Sequence, residues 1–115
     1  AQYHSKVVAA DGVDYDFIDQ EARKVCAGLA SRRRGISFPV ARLSRVHQAL
    51  RRAVIRLAIE EVRGDLKAFT QEHVDLVDDC LLTGRQGMTL ELPHGVRVLR
   101  NAKDLVFSVK ARSKA

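Results

Sequence analysis

At Gly84 the hydrophobic pattern of this chain changes period, and that change limits the available folds more than composition does. Downstream, Met88, Leu90 and Leu92 alternate with Thr89 and Glu91, the pattern of a strand with one buried face. Pro93-His94-Gly95 marks a turn, and Val96 and Val98 resume the alternation. Asn101 to Asp104 turns the chain again, and Leu105, Phe107 and Val109 supply a third apolar row. Turns this short join antiparallel neighbours, so the tail is expected to be a small antiparallel β meander.

Upstream of Gly84 the spacing is helical. Asp14 or Asp16 can cap a first helix whose apolar stripe is Ile18, Ala22, Val25, Cys26 and Leu29. Its carboxylates come early and Arg23 and Lys24 follow, the order a helix dipole favours. Arg32-Arg33-Arg34-Gly35 breaks that pattern. Ile36-Ser-Phe-Pro39 reads as a short extended piece with Ile36 and Phe38 pointing the same way, and Val40 to Arg45 as one brief helical turn. His47 to Arg63 is the main helix: Leu50, Val54, Leu57, Ala58 and Val62 form one face, and Ile55 and Ile59 widen it, which makes this the core helix. Gly64-Asp65 ends it. Thr70 caps a third helix with Val74, Val77, Cys80 and Leu81 inward and Glu72, Asp75, Asp78 and Asp79 outward.

The fold class that follows is α+β and mainly helical, about three helices followed by the meander. Residues 1–13 read as an N-terminal boundary segment, 14–109 as a single domain and 110–115 as a polar tail. Because the chain starts Ala1-Gln2 and ends in a basic, polar run, it is expected to be a piece of a longer polypeptide.

Charge is distributed unevenly. Residues 31–56 carry eight arginines and no carboxylate, whereas residues 57–84 carry two basic and seven acidic side chains. Arginine offers a flat fork of donors that matches phosphate oxygens in pairs, so an acid-free run of arginines points to a polyanion. With no Trp and two Tyr the chain has few platforms for stacking bases, and phosphate contacts should dominate. Arg45, Arg52 and Arg56 recur at offsets of seven and four, giving one stripe, with Arg51 one residue aside. The plainer alternative is a solvated helix face partly paired through Arg56 and Glu60. The Arg32–Arg34 triplet by itself reads as a soluble loop. In the second half, Arg85, Arg97 and Arg100 are further candidates for phosphate contact.

Other chemistries find little support. The four histidines, His4, His47, His73 and His94, fall in separate elements, and there is neither HExxH nor CxxC, so no metal site is expected. Asp78-Asp79 resembles a carboxylate pair, but adjacent helix positions diverge by about 100°, which favours an exposed acidic face. Neither GxxxxGK[ST] nor GxGxxG occurs, and no nucleophile stands near a base. Gly84-Arg85-Gln86-Gly87 reads as a helix cap and strand entry rather than an anion loop. No catalytic residue and no cofactor is expected in this chain. Cys26 and Cys80 read as reduced thiols. No run approaches the roughly 18 apolar residues of a membrane span, so no membrane partner and a cytoplasmic setting are expected.

The run Gly84-Arg-Gln-Gly-Met-Thr-Leu-Glu-Leu-Pro-His-Gly-Val-Arg-Val-Leu-Arg100, followed by Leu105-Val-Phe, resembles the tRNA(Ile)-lysidine synthetase family in the stretch after its catalytic domain. There a helix ends in a glycine-containing loop, a strand reaches "Leu-Pro-Gly-Gly" or similar, and the return strand reads "Val-x-Arg". Upstream, Ile36-Ser-Phe, Leu43 and Leu50-Arg51-Arg52-Ala-Val-Ile-Arg56 resemble that family's strand, short helix and arginine-rich helix. Together the pieces cover roughly residues 14–109 in order. His47 stands where proline is common, Arg51 where glutamine is, and His94 where glycine is. The family's Ser-Gly-Gly-x-Asp-Ser ATP loop is absent from this chain.

The resemblance implies the non-catalytic, tRNA-recognising part of a carbon–nitrogen ligase. Such an enzyme adenylates C2 of the wobble cytidine of an isoleucine tRNA with ATP and magnesium, and lets lysine displace AMP to make lysidine. Its partners would be tRNA and the catalytic domain of the same polypeptide, and this chain alone would be inactive. Two rivals stay open: a winged-helix DNA-binding domain, whose third helix would meet phosphates with acids, and an interaction domain docking its arginines on an acidic partner.

Overall fold

The computed structural model describes residues 15–33 and 35–109. Helix α1 spans Tyr15–Leu29, strand β1 Ile36–Pro39, α2 Val40–Leu43, α3 Gln48–Arg63 and α4 Gln71–Thr83; β2 (Met88–Glu91), a 3-10 turn at Pro93–Gly95, β3 (Val96–Arg100) and β4 (Asp104–Val109) follow. The α+β class holds. The brief turn after Pro39 is α2, which brings the described helices to four. Asp14 and the boundary segment before it lie outside the described residues, and Asp16 sits within the first turn of α1.

All strand pairs are antiparallel, in the order β1-β4-β3-β2. The meander expected after Gly84 is therefore three quarters of a larger sheet, and the extended piece at Ile36 is its fourth strand. Ile36 pairs with Phe107 and Phe38 with Leu105. Period-two side chains from the three paired strands β1, β4 and β3 form one fully buried layer of Ile36, Phe38, Leu105, Phe107, Val96 and Val98. Phe38 and Phe107 meet edge to face, with centroids 5.9 Å apart, worth about 0.5–1.5 kcal/mol beyond their burial.

Helix α3 lies against this layer, touching β1, β3 and β4, and also packs against α1 and α4. Its deepest residues are Val54, Ile55, Ala58 and Ile59, while Leu50, Leu57 and Val62 are half-buried. His47 caps α3, its Nδ1 accepting from the Ala49 N–H at 3.1 Å. Gly64 ends it at φ +104°, a left-handed cap that glycine adopts without penalty. Thr70 caps α4, and its N–H donates to His73 Nδ1 at 2.9 Å, so a histidine does the work of the usual glutamate in the capping box. The seven residues 64–70 turn α4 back antiparallel to α3, which sets the start of α3 beside the second half of α4.

Candidate nucleic-acid interface

The hairpin of α3 and α4 changes what the arginines near residue 51 can do. Arg51 is buried, and its Nε and Nη2 donate to the two oxygens of Asp78 at 2.5 and 3.0 Å. Nη1 donates to the Val46 carbonyl at 2.9 Å, tying the turn before α3 to the same side chain. Only 7% of Arg51 and 2% of Asp78 is exposed, so this guanidinium has no face to offer a phosphate. Two expectations are corrected here: Asp78 points inward rather than outward, and Arg51 is an internal strut rather than a surface contact. The Asp78 hydrogen bond raises the Arg51 pKa still further, so this guanidinium keeps its charge.

Arg52 is anchored on the same acids from outside. Its Nε reaches Asp78 at 3.3 Å and its Nη1 reaches Asp75 at 3.4 Å, with about a third of the side chain exposed. The acid-free sequence context of these arginines is thus offset in space by acids 23 to 27 residues further on. Arg56, one turn later, is half-exposed and borders a small crevice against α1 lined by Ile18, Asp19 and Leu66. Among the described residues it forms no ion pair, with Glu60 or any other acid. Arg45 belongs to the turn before α3 and not to the helix, so the expected three-arginine stripe is broken at its first member.

A second basic surface forms at one end of the molecule. Pro39 pairs with Asp104, Arg100 with Leu105 and Met88 with Arg100, so these strand ends lie side by side. Val40 N–H donates to the Lys103 carbonyl at 2.8 Å and Gly87 N–H to the Arg100 carbonyl at 2.7 Å. These bonds bring together α2, the β3–β4 turn and the α4–β2 loop, and with them Arg42, Arg45, Lys103 and Arg85, all exposed. Among the described residues none of the four has an ion-pair partner. Arg100 is half-buried there, donating to the carbonyls of Leu81 at 3.3 Å and Asn101 at 3.4 Å, and so caps the end of α4. Arg97 lies on the opposite sheet face, paired with its cross-strand neighbour Glu91 at 2.9 Å. Sequence reasoning counted Arg42 in the acid-free arginine run without singling it out, and passed over Lys103; the polar turn at Asn101 was the only signal for that lysine, and the closeness of the turn to α2 is a tertiary fact.

Elsewhere the described residues offer little reactive chemistry. They contain no group of three or more His, Cys, Asp or Glu side chains placed to hold a metal. Burial pushes the Cys26 and Cys80 thiols up, which keeps them protonated. Arg32, from the arginine triplet, is committed to Glu61 through two bonds of 2.5 and 3.0 Å. That contact raises the Arg32 pKa and lowers that of Glu61. The outer face of α4 still shows Glu72, Asp75 and Asp79, which sets it against a phosphate backbone. No helix among the described residues is long and apolar enough to cross a membrane.

Residues 38–105, which run from the second half of β1 to the start of β4 and include all seven arginines read as candidate contacts, match the family described as the TilS substrate-binding domain. The chain belongs to that family. A tRNA(Ile)-lysidine synthase of Geobacter sulfurreducens is 33% identical over 66 residues, covering 57% of this chain and 14% of the relative. The matched region thus spans about one seventh of that relative's length. The matched segment holds α2, α3, α4, β2 and β3 whole, and α1 packs on α3 from outside it.

Proposed function

We propose that this TilS substrate-binding domain grips tRNA by its phosphates on behalf of a lysidine-forming ligase. The observation that carries the reading is the exposed basic end, where Arg42, Arg45, Arg85 and Lys103 come from three separate segments held together by backbone hydrogen bonds. Four cations on a rigid frame, without acids to occupy them, suit a folded RNA backbone better than a flexible tail does. Arg52 and Arg56 extend the contact along α3, Arg100 steadies the α4–β2 loop from behind, and Arg97 adds a weaker contact because Glu91 holds it.

On this reading the bond-making groups sit in the catalytic domain of the same polypeptide. ATP with magnesium would adenylate C2 of the wobble cytidine there, and the lysine amine would displace AMP. The present chain contributes binding and orientation, works in the cytoplasm, and is inactive by itself.

The test is a binding isotherm for an isoleucine tRNA transcript at a series of salt concentrations. Each neutralised phosphate contributes about 0.7 to 0.9 to the slope of log affinity against log salt. A combined Arg42→Ala, Arg45→Ala, Arg85→Ala variant should lose about 2 to 3 from that slope. An affinity that does not move between low and physiological salt, or a slope the triple variant leaves unchanged, would overturn the proposal.

A further inference from the structure

A groove of about 660 Å³ runs between α4 and β2. Leu76, Asp79 and Thr83 line it from α4, at offsets of three and four that share a helix face; Met88 and Leu90 line it from β2. Leu76 is 50% and Met88 41% exposed, two of the five large apolar side chains exposed among the described residues, and both line this one groove. Apolar surface concentrated on one flank in this way marks an interaction site more often than isolated exposed residues do.

The strand bordering the groove is open. Among the described residues β2 is the outer strand of the sheet, next to β3 alone. Leu92 N–H donates to the Val96 carbonyl at 2.8 Å, so by antiparallel alternation Leu90 exchanges bonds with Val98, while the N–H and C=O of Thr89 and Glu91 face the free edge. Proline or lysine would guard such an edge, and β2 contains neither. An added strand would send alternate side chains into the groove, beside Leu76, Met88 and Leu90.

Charge selects the occupant. Helix α4 contains no Lys or Arg from Gln71 to Thr83, and its outer face carries Glu72, Asp75 and Asp79 in a protein of net charge +6. Among the described residues Asp79, inside the groove, has no ion-pair partner. Arg85, at the mouth, is the single cation in the lining. A nucleic acid backbone is repelled from this wall, and a second copy of the chain would bring the same acids against it. We infer that the α4–β2 groove docks an extended protein segment in which apolar residues alternate with Lys or Arg, added to β2 as a fifth strand. Its apolar side chains cover Leu76, Met88 and Leu90, a cation reaches Asp79, and its backbone pairs with Thr89 and Glu91. This surface meets the proposed RNA grip at Arg85 and otherwise lies apart from it, on α4 and β2, and it needs no RNA to form.

The experiment is an amide-resolved NMR titration of the full chain with a synthetic ten-residue peptide alternating Val or Leu with Lys, beside the same peptide with Glu for Lys. Shifts are expected at Leu76, Asp79 and Met88 to Glu91 with the basic peptide only, and the Thr89 and Glu91 amides should exchange at least tenfold more slowly in the complex. Asp79→Lys should weaken binding about tenfold or more. Thr89→Pro, which removes an edge N–H that the β2–β3 ladder does not use, should abolish strand addition while the rest of the spectrum is kept. The inference is overturned by shifts elsewhere, by equal binding of the acidic peptide, or by unprotected Thr89 and Glu91 amides. It is equally overturned if tRNA moves the Leu76, Asp79, Thr89 and Glu91 amides, away from Arg85, or if simple dilution of the chain does, since RNA or a second copy would then be the occupant.

Discussion

Arg51 and Asp78, 27 residues apart in sequence, face each other as a buried two-bond ion pair that fastens the start of α3 to the second half of α4. Removing Asp78 leaves Arg51 buried without a counter-ion, whereas removing Arg51 still leaves Asp78 its 3.3 Å contact with Arg52. Asp78→Ala is therefore expected to cost about 3–5 kcal/mol, read from urea unfolding, and Arg51→Ala less, because Arg52 remains beside Asp78. Replacing both, as Arg51→Met with Asp78→Leu, should restore most of that stability, because the desolvation cost vanishes with the charges. The double variant should also keep its tRNA affinity. If it loses RNA binding while remaining folded, Arg51 is a contact after all.

Arg52 divides its donors between this pair and Asp75, so an acid competes with any phosphate for the same guanidinium. Asp75→Asn weakens the competitor and leaves Asp78 in place. Exposed pairs of this kind are worth about 0.2–1 kcal/mol, so tRNA affinity should rise by up to about fivefold. Fluorescence anisotropy at fixed salt measures it, and a fall in affinity would show that Asp75 orients Arg52 for the RNA instead of holding it back.

These two residues also show how far sequence could lead. The period change at Gly84, the cap at Thr70 and the apolar arc of α3 are local properties, and each was legible. Asp78 was not: it sits among carboxylates on a helix whose outer face is acidic, and only the antiparallel return of α4 brings it against Arg51. The same holds for β1, whose partner β4 lies about seventy residues downstream; alternation of Ile36 and Phe38 announces an extended piece but not its neighbour. Of the arginines, type and number were legible, whereas the split into strut, anchored and free groups depends on tertiary acids.

The Arg32–Glu61 contact predicts a pH dependence with a definite sign. Arg32 lowers the Glu61 pKa in the folded protein relative to the ordinary glutamate value near 4.3. A depressed carboxylate contributes stability that is present above the unfolded pKa and is lost as pH falls through the folded one. Stability should decline below about pH 4.3, and Glu61→Gln should be less stable at neutral pH with a shallower acid limb. Melting temperatures of the two proteins should converge in acid; parallel curves would assign the acid limb to other carboxylates.

Gly35 and Gly64 both hold positive φ, +100° and +104°, but they differ in surroundings. A Cβ at Gly64 meets open space, so Gly64→Ala pays for backbone conformation alone, about 1 kcal/mol. At Gly35 the same atom would overlap the Phe107 carbonyl, which belongs to the strand paired with β1. That oxygen cannot swing aside as a side chain would, so β1 must part from β4 or the turn must rebuild. Gly35→Ala is therefore expected to cost clearly more, on the order of 1–3 kcal/mol beyond Gly64→Ala. Thermal unfolding of the two variants side by side tests the difference. Because β1 leads directly into α2 and Arg42, Gly35→Ala should also weaken tRNA binding at temperatures where the rest of the domain is still folded, whereas Gly64→Ala, at the far end of α3, should not.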